Sequence, residues 1–233
     1  MLKLLIKRIT VGDLKTNCYI ISTDKNNCLI FDPGSDFDKI NNYIIQNKLS
    51  PSHIFLTHGH YDHIGAVPKL KESYPEIKIF ISDEDKDCLI DGQKSLASVF
   101  GNYTQKPIQS DVIIKDNMIL KIDDIIIESI SAPGHTPGSV CYLINNNILL
   151  TGDTLFKDSV GRTDLPGGDQ KKLEDSIKKI YKLFIFQNKD IDMNIDMNID
   201  IDKIKIYPGH WISSNLKKEF YSNPYIKFLY NYI

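Results

Sequence analysis

Several things are scarce in this chain of 233 residues, and each scarcity excludes something. There is no charge excess of either sign: 28 Lys and Arg face 30 Asp and Glu, for a net charge of −2. A general nucleic-acid or anionic-membrane surface needs a basic excess, so neither partner is expected. No apolar run reaches the ~18 residues of a membrane span. The N-terminal stretch has no sustained apolar core and no small-residue cleavage site, and it reads as a strand rather than a leader. Only four cysteines occur (Cys18, Cys28, Cys88, Cys141), and none lie at C-x-x-C spacing. They read as reduced, mostly buried thiols in a cytoplasmic protein. Neither G-x-S-x-G nor a Walker-type glycine loop is present, so neither an elbow serine nor a phosphate cradle is expected. Arginine is the rarest charged residue, with only Arg8 and Arg162 against 26 lysines and 37 isoleucines.

What remains is an ordinary globular composition, 42% hydrophobic and 25% charged, in a chain long enough for one large domain. Strand-like runs cover Leu2–Ile9, Asn17–Ser22, Cys28–Phe31, His53–Thr57 and Ile77–Ser82. Helical spacing covers Asp36–Asn47, Ile64–Ser73 and Asp83–Phe100. The second half repeats the style, with strands Met118–Ile122, Ile125–Ile130, Val140–Ile144, Ile148–Leu150 and Ile204–Tyr207. Helices are expected over Gln170–Phe184 and around Asn215–Phe220. Strand groups separated by helices, in two similar halves, predict an α/β protein of two packed sheets with helices outside. One segment stands apart: Ile191–Asp202 reads IDMNIDMNIDID, a low-complexity insertion at about 187–203. Its aspartates suit an exposed edge more than a calcium loop.

The histidines carry the chemistry. Three of six fall in THGHYDHIG (Thr57–Gly65) as His58, His60 and His63, with Asp62 between them. At this histidine frequency the H-x-H-x-D-H spacing arises by chance about 0.0004 times in such a chain. A strand delivers His58, and residues i and i+2 on extended backbone point the same way. His58 and His60 can therefore share one metal, while Asp62 and His63 face a neighbouring point. Imidazole and carboxylate donors suit zinc, and also iron or manganese. Three more candidates follow strands in glycine-containing loops: His135 in SAPGHTPGS, Asp153 in LLTGDTLF and His210 in YPGHW. His53 is left over as a structural residue at a strand start.

THGHYDHIG, GHTPGS, TGDTLF, GRTDLPGGD and YPGH, in that order, resemble the metallo-β-lactamase-fold hydrolases, and within them the glyoxalase II (hydroxyacylglutathione hydrolase) group. The resemblance spans about Asn17–Trp211. It implies a four-layer αβ/βα sandwich, a single domain over 1–233, binding two zinc ions, with iron or manganese as alternatives. By motif, His58, His60 and His135 would hold one ion, Asp62, His63 and His210 the other, and Asp153 would bridge both. Asp32 in FDPG would brace the ligand loop from behind. A hydroxide shared by two metals would attack the thioester of a small-molecule substrate such as a hydroxyacylglutathione, with Asp62 and Asp153 as the catalytic carboxylates. Two departures matter. Only 23 residues follow His210, without the group's long helical region. GRTDLPGGD replaces the group's tyrosine-containing segment and is similar to short bacterial-type members. A related G-R-x-D string in persulfide dioxygenases keeps an iron-dependent oxidation open, as are lactone or phosphodiester hydrolysis. Arg162 would grip a substrate carboxylate or pair internally with Asp164 or Asp158.

Overall fold

The computed structural model describes residues 4–101, 104–185 and 201–226, and the chain divides into two compact units, Met1–Lys115 and Asp116–Ile233.

The first unit is built on a six-stranded sheet in the order β1 to β6. Its strands are β1 (Leu5–Val11), β2 (Thr16–Ser22), β3 (Asn27–Phe31), β4 (Ser50–Phe55), β5 (Lys78–Ser82) and β6 (Val112–Ile114). β1, β2 and β3 pair antiparallel, and β3 through β6 run parallel. Every residue of β2 is buried, and its centre, Cys18–Ile21, is continuously apolar with no alternation. On one face, Ile9, Cys18, Ile20, Ile30, Ile54 and Ile79 pack with Ile40 and Ile44 of helix α1 (Phe37–Gln46) and with Val67 and Leu70 of helix α3. On strands β3, β4 and β5, Phe31, Phe55 and Phe80 stack in a ladder at centroid distances of 5.1 and 4.7 Å. His53 lies against Phe55 and Phe80 with Nδ1 2.7 Å from Ser52 Oγ, inside β4 rather than at the strand start expected for it.

Two helical expectations need correction. The stretch Ile64–Ser73 is not one helix: a single turn, α2 (Tyr61–Ile64), precedes α3 (Val67–Ser73). Pro68 sits in the first turn of α3, where its missing N–H costs nothing and its fixed φ starts a new helix. Asp83–Phe100 folds only as a 3-10 turn at Lys86–Leu89 and a π turn at Ala97–Gly101. Leu96 adopts φ 67° between them, which no continuous helix accommodates. The strand β6 lies outside every sequence expectation, because three residues carry no readable period.

The second unit has its own six-stranded sheet, in the order β14-β13-β10-β9-β8-β7. It comprises β7 (Ile119–Ile122), β8 (Ile125–Ser131), β9 (Val140–Ile144), β10 (Ile148–Gly152), β13 (Lys205–Pro208) and β14 (Ser214–Asn215), with a separate hairpin of β11 (Leu155–Phe156) and β12 (Ser159–Val160). Helix α4 (Gln170–Ile185) presents Leu173, Ile177, Ile180, Tyr181 and Phe184 to a core shared with Ile130, Leu143, Leu149 and Ile206. That spacing is one face of a helix. Helix α5 (Leu216–Ser222) closes the unit. Residues 186–200 of the repeat insertion lie outside the described residues, and Ile201–Lys203 forms a 3-10 turn. There Asp202 pairs with Lys217 at 2.6 Å.

Candidate metal centre

In the first unit, four of the candidate donors stand on one loop and the turn that follows it. The Phe55 carbonyl at the end of β4 accepts from the Asp32 N–H. Asp32, at the end of β3 with φ 49°, answers across the strands. Its Oδ1 accepts from the Thr57 N–H and its Oδ2 from the Thr57 hydroxyl, both at 2.7 Å. Because Thr57 gives its one proton to Asp32, its oxygen must accept from Nδ1 of His58, 3.1 Å away. Asp32 Oδ2 also lies 3.1 Å from Nδ1 of His63. The His58 imidazole is therefore protonated at Nδ1, which in its neutral form places the lone pair on Nε2. The His58 ring lies 4.1 Å from that of His63 and 4.8 Å, edge-on, from that of His60. Asp62 is 3.4 Å from His63 Nε2, and its Oδ2 accepts from the Thr16 hydroxyl at 2.7 Å. All three histidines are buried. A Cβ on Gly34 would run into the Asp62 carbonyl oxygen, so only glycine lets the β3–α1 turn pass behind the ligand turn. Against Asp62 lies a cavity of about 420 Å³ lined by Leu14, Tyr61 and Phe100 among others.

The second unit assembles its three donors from three separate strand ends. His135 sits in the β8–β9 loop with Nδ1 2.8 Å from the Arg162 carbonyl. A carbonyl only accepts, so Nδ1 carries the proton and Nε2 the lone pair. Asp153 and His210 follow β10 and β13, which pair in parallel with Gly152 opposite Pro208. The Gly209 N–H donates to the Gly152 carbonyl at 2.8 Å. That register sets Asp153 Oδ2 3.4 Å from His210 Nε2, and it lies 3.6 Å from His135 Nε2. A Cβ on Gly161 would meet the Asp153 carbonyl oxygen, a close approach matching that of Gly34 in the first unit. Phe156 meets Trp211 edge-on at 4.8 Å, while the Trp211 side chain itself is largely exposed.

The donors fit a divalent metal. In three pairs an imidazole Nε2 faces a carboxylate oxygen at 3.4 to 3.6 Å, long for a hydrogen bond. For His135 the atom facing the carboxylate carries the lone pair. Two such acceptors repel until a cation stands between them. Arg162 takes the internal alternative: Nε and Nη2 grip Asp164 at 2.7 and 2.6 Å, both side chains exposed. The hydrogen bond from Arg162 pulls the Asp164 carboxyl down to about 2. What the sequence does not reveal is that Arg162 also matters through its main chain, as the acceptor that orients His135. Thr16 is likewise missed, since nothing in its neighbourhood marks it. The thiols are inert: burial pushes Cys28, Cys88 and Cys141 up to about 12 and Cys18 well above the ordinary range.

Comparison with known proteins agrees with this chemistry. The sequence profile of the Metallo-beta-lactamase superfamily matches residues 11–190. The chain is 37% identical over 172 residues to the probable metallo-hydrolase YqgX of Bacillus subtilis, covering 73% of this chain and 81% of that one. It is 31% identical to the hydroxyacylglutathione hydrolase GloC of Haemophilus influenzae, over 95% of this chain and 97% of that protein. Among solved structures, the BLEG-1 B3 metallo-beta-lactamase superposes with a TM-score of 0.82 at 28% identity, covering 95% of this chain and 99% of that one. The α/β fold class expected from the motif order is shown by this match, and the fold binds divalent metals. Among the described residues, no helix is long and apolar enough to cross a membrane.

Proposed function

The chain belongs to the metallo-β-lactamase superfamily, and we propose that it is a metal-dependent thioester hydrolase acting on hydroxyacylglutathione-type substrates. The observation that carries the proposal is the donor chemistry. His135 donates from Nδ1 to the Arg162 carbonyl, so its Nε2 lone pair faces Asp153. The Nε2 atoms of His63 and His210 face carboxylate oxygens at 3.4 Å, an arrangement that a cation between the paired groups would stabilise. The proposed ligands are His58, His60 and His135 for one ion, and Asp62, His63 and His210 for the other, with Asp153 shared. When bound, two zinc ions, or iron or manganese, supply Lewis acidity to the carbonyl and make water a nucleophile near neutral pH.

The chain's own residues supply the rest. Buried, neutral thiols rule themselves out as nucleophiles, so the attacking oxygen is water's. It bonds to the thioester carbonyl carbon, the C–S bond breaks, and an acid and a thiol leave. Asp62, oriented by Thr16, takes the proton of the attacking water. Thiols ionise near ~8.5, so the sulfur leaves without a dedicated acid. The likeness to the hydroxyacylglutathione hydrolase over nearly the full length of both chains supports the substrate class. The cavity against Asp62, whose wall mixes Leu14, Tyr61 and Phe100 with Asp13 and Ser35, offers room for an acyl or thiol portion. Arg162 is proposed to meet a substrate carboxylate by exchanging it for Asp164, since an exposed pair of this kind adds little to stability.

The test offers S-lactoylglutathione and glutathione persulfide separately to zinc-loaded and iron-loaded protein. Thiol release from the thioester under nitrogen, supported by zinc, is the expected result. Oxygen uptake with the persulfide, strictly dependent on iron and far faster than any thioester cleavage, would replace hydrolysis with oxidation.

A further inference from the structure

The segment between β5 and β6 that fails to form a helix does something else. Asp85, 1% exposed, turns its carboxylate toward the ligand loop, where Oδ2 accepts from the Gly59 N–H at 2.9 Å. Gly59 separates His58 from His60. Two residues further on, the Tyr61 N–H donates to the Ser95 carbonyl at 2.9 Å. Gln105 joins the two arms: its Nε2 donates to the Cys88 carbonyl at 2.6 Å, and its Oε1 accepts from the Ser95 hydroxyl. The Cys88 N–H in turn donates to the Asp85 carbonyl at 2.9 Å. The ligand loop is thus held at alternate peptides, Gly59 and Tyr61, by one cross-tied segment.

We propose that Asp85 is a positioning residue for metal binding. It fixes the plane of the Gly59 peptide and through it the aim of the two histidines on either side. The inference rests on the metal-binding reading above. His60 is extended, with φ −67° and ψ 146°. Residues i and i+2 on extended backbone share a direction only while the peptides between them keep their orientation. Rotation about the Gly59 peptide swings His58 and His60 apart, and glycine offers little resistance to that rotation. A buried N–H also demands an acceptor. With Asp85 removed, the peptide satisfies that demand by turning elsewhere. Gln105 acts one step further back by holding both arms of the segment.

The full-length protein tests this with Asp85→Ala, Asp85→Asn and Gln105→Ala. Three properties are read: zinc affinity by chelator competition, the visible spectrum of the cobalt-substituted protein, and the melting temperature of the metal-free form. Asp85→Ala should weaken zinc binding by about tenfold or more and change the cobalt bands, as expected when support behind a ligand is lost. Asp85→Asn keeps an acceptor oxygen and should stay within about threefold of the parent with the parental spectrum. Gln105→Ala should fall between them. Parental zinc affinity and spectrum in folded Asp85→Ala would overturn the proposal, whatever its melting temperature, because a purely structural role moves only the latter. Should Asp85→Ala not fold, Gln105→Ala decides: a loss of about threefold supports the positioning role, and unchanged affinity overturns it. A parent that binds neither zinc nor cobalt would overturn the metal reading itself, which parental binding in Asp85→Ala would leave standing.

Discussion

The two units prepare their donors by different means. In the first, four donors come from six consecutive residues, His58–His63, and side chains brace them: Asp32, Thr57, Thr16 and Asp85. In the second, His135, Asp153 and His210 come from three loops far apart in sequence, and the main chain braces them. The Arg162 carbonyl orients His135, and the parallel register of β10 and β13 brings Asp153 to His210. A contiguous cluster needs added side chains to aim residues that share one short backbone. Donors at neighbouring strand ends are aimed by the sheet itself. The first unit should therefore be sensitive to polar substitutions behind its ligands, and the second to changes that move its backbone.

The largest effects are expected where the two units agree. Gly34→Ala and Gly161→Ala each place a methyl group on the carbonyl oxygen of a donor aspartate. Backbone must shift in both, at a cost on the order of 5 kcal/mol, the exceptional end for a single substitution. Thermal melts should show a fall of roughly 10–20 °C or no folded protein at all. A change below about 3 °C in either variant would break the parallel between the two turns.

Alkaline pH should separate the units. Cys18, Cys28 and Cys88 belong to the first and only Cys141 to the second. Burial holds Cys28, Cys88 and Cys141 up near 12, and Cys18 is raised as well. The unfolded chain therefore loses these protons first. Stability is full below about pH 8.5 and falls as pH rises toward the folded values, by about 1.4 kcal/mol per thiol at pH 9.5. Urea titrations at about pH 8 and about pH 9.5 read the total. Peptide-resolved hydrogen exchange should show β2 and β3 loosening before β9, and the reverse order would contradict the burial of these thiols.

Asp32→Asn tests the side-chain brace alone. An amide nitrogen cannot accept from Thr57, so zinc affinity should drop by about 10- to 100-fold. Chelator competition measures this, and no side-chain substitution at Arg162 should do the same, because His135 leans on its carbonyl. Equal losses from Asp32→Asn and Arg162→Ala would erase the distinction drawn between the units.

The smallest effect belongs to Arg162→Ala. The Arg162–Asp164 pair is exposed, so the melting temperature should move by no more than about 2 °C. The depressed Asp164 carboxyl favours the folded state above about pH 4, an advantage lost as pH falls toward 2. If Arg162 meets a substrate carboxylate, KM for the thioester should rise several-fold with kcat little changed. Unchanged kinetics would confine the guanidinium to its bond with Asp164.

Legibility followed the same division. The cluster at His58, His60, Asp62 and His63 could be read directly, because its spacing is local and improbable. His135, Asp153 and His210 could be nominated only as polar residues after strands in glycine-containing loops; which of them meet depends on strand order. Strands such as β2 and β9, and helix α4, were visible through their apolar patterns. The segment from Asp83 to Phe100 misled, because helical spacing of apolar residues is also satisfied by a 3-10 turn and a π turn around a left-handed Leu96.

The sequence by itself determined the superfamily and the α/β class and nominated the candidate donors, because residue types, their spacing and the motif order are all properties of the linear chain. Only the tertiary structure decided how those donors are prepared. That Asp32 holds Thr57, that Asp85 holds the Gly59 peptide, and that a carbonyl at Arg162 sets the His135 tautomer are all contacts between residues more than twenty positions apart. No local period encodes such contacts. They exist because parallel strand pairing and close passage at Gly34 and Gly161 carry distant loops to within hydrogen-bond reach, where one angstrom separates a ligand from a bystander.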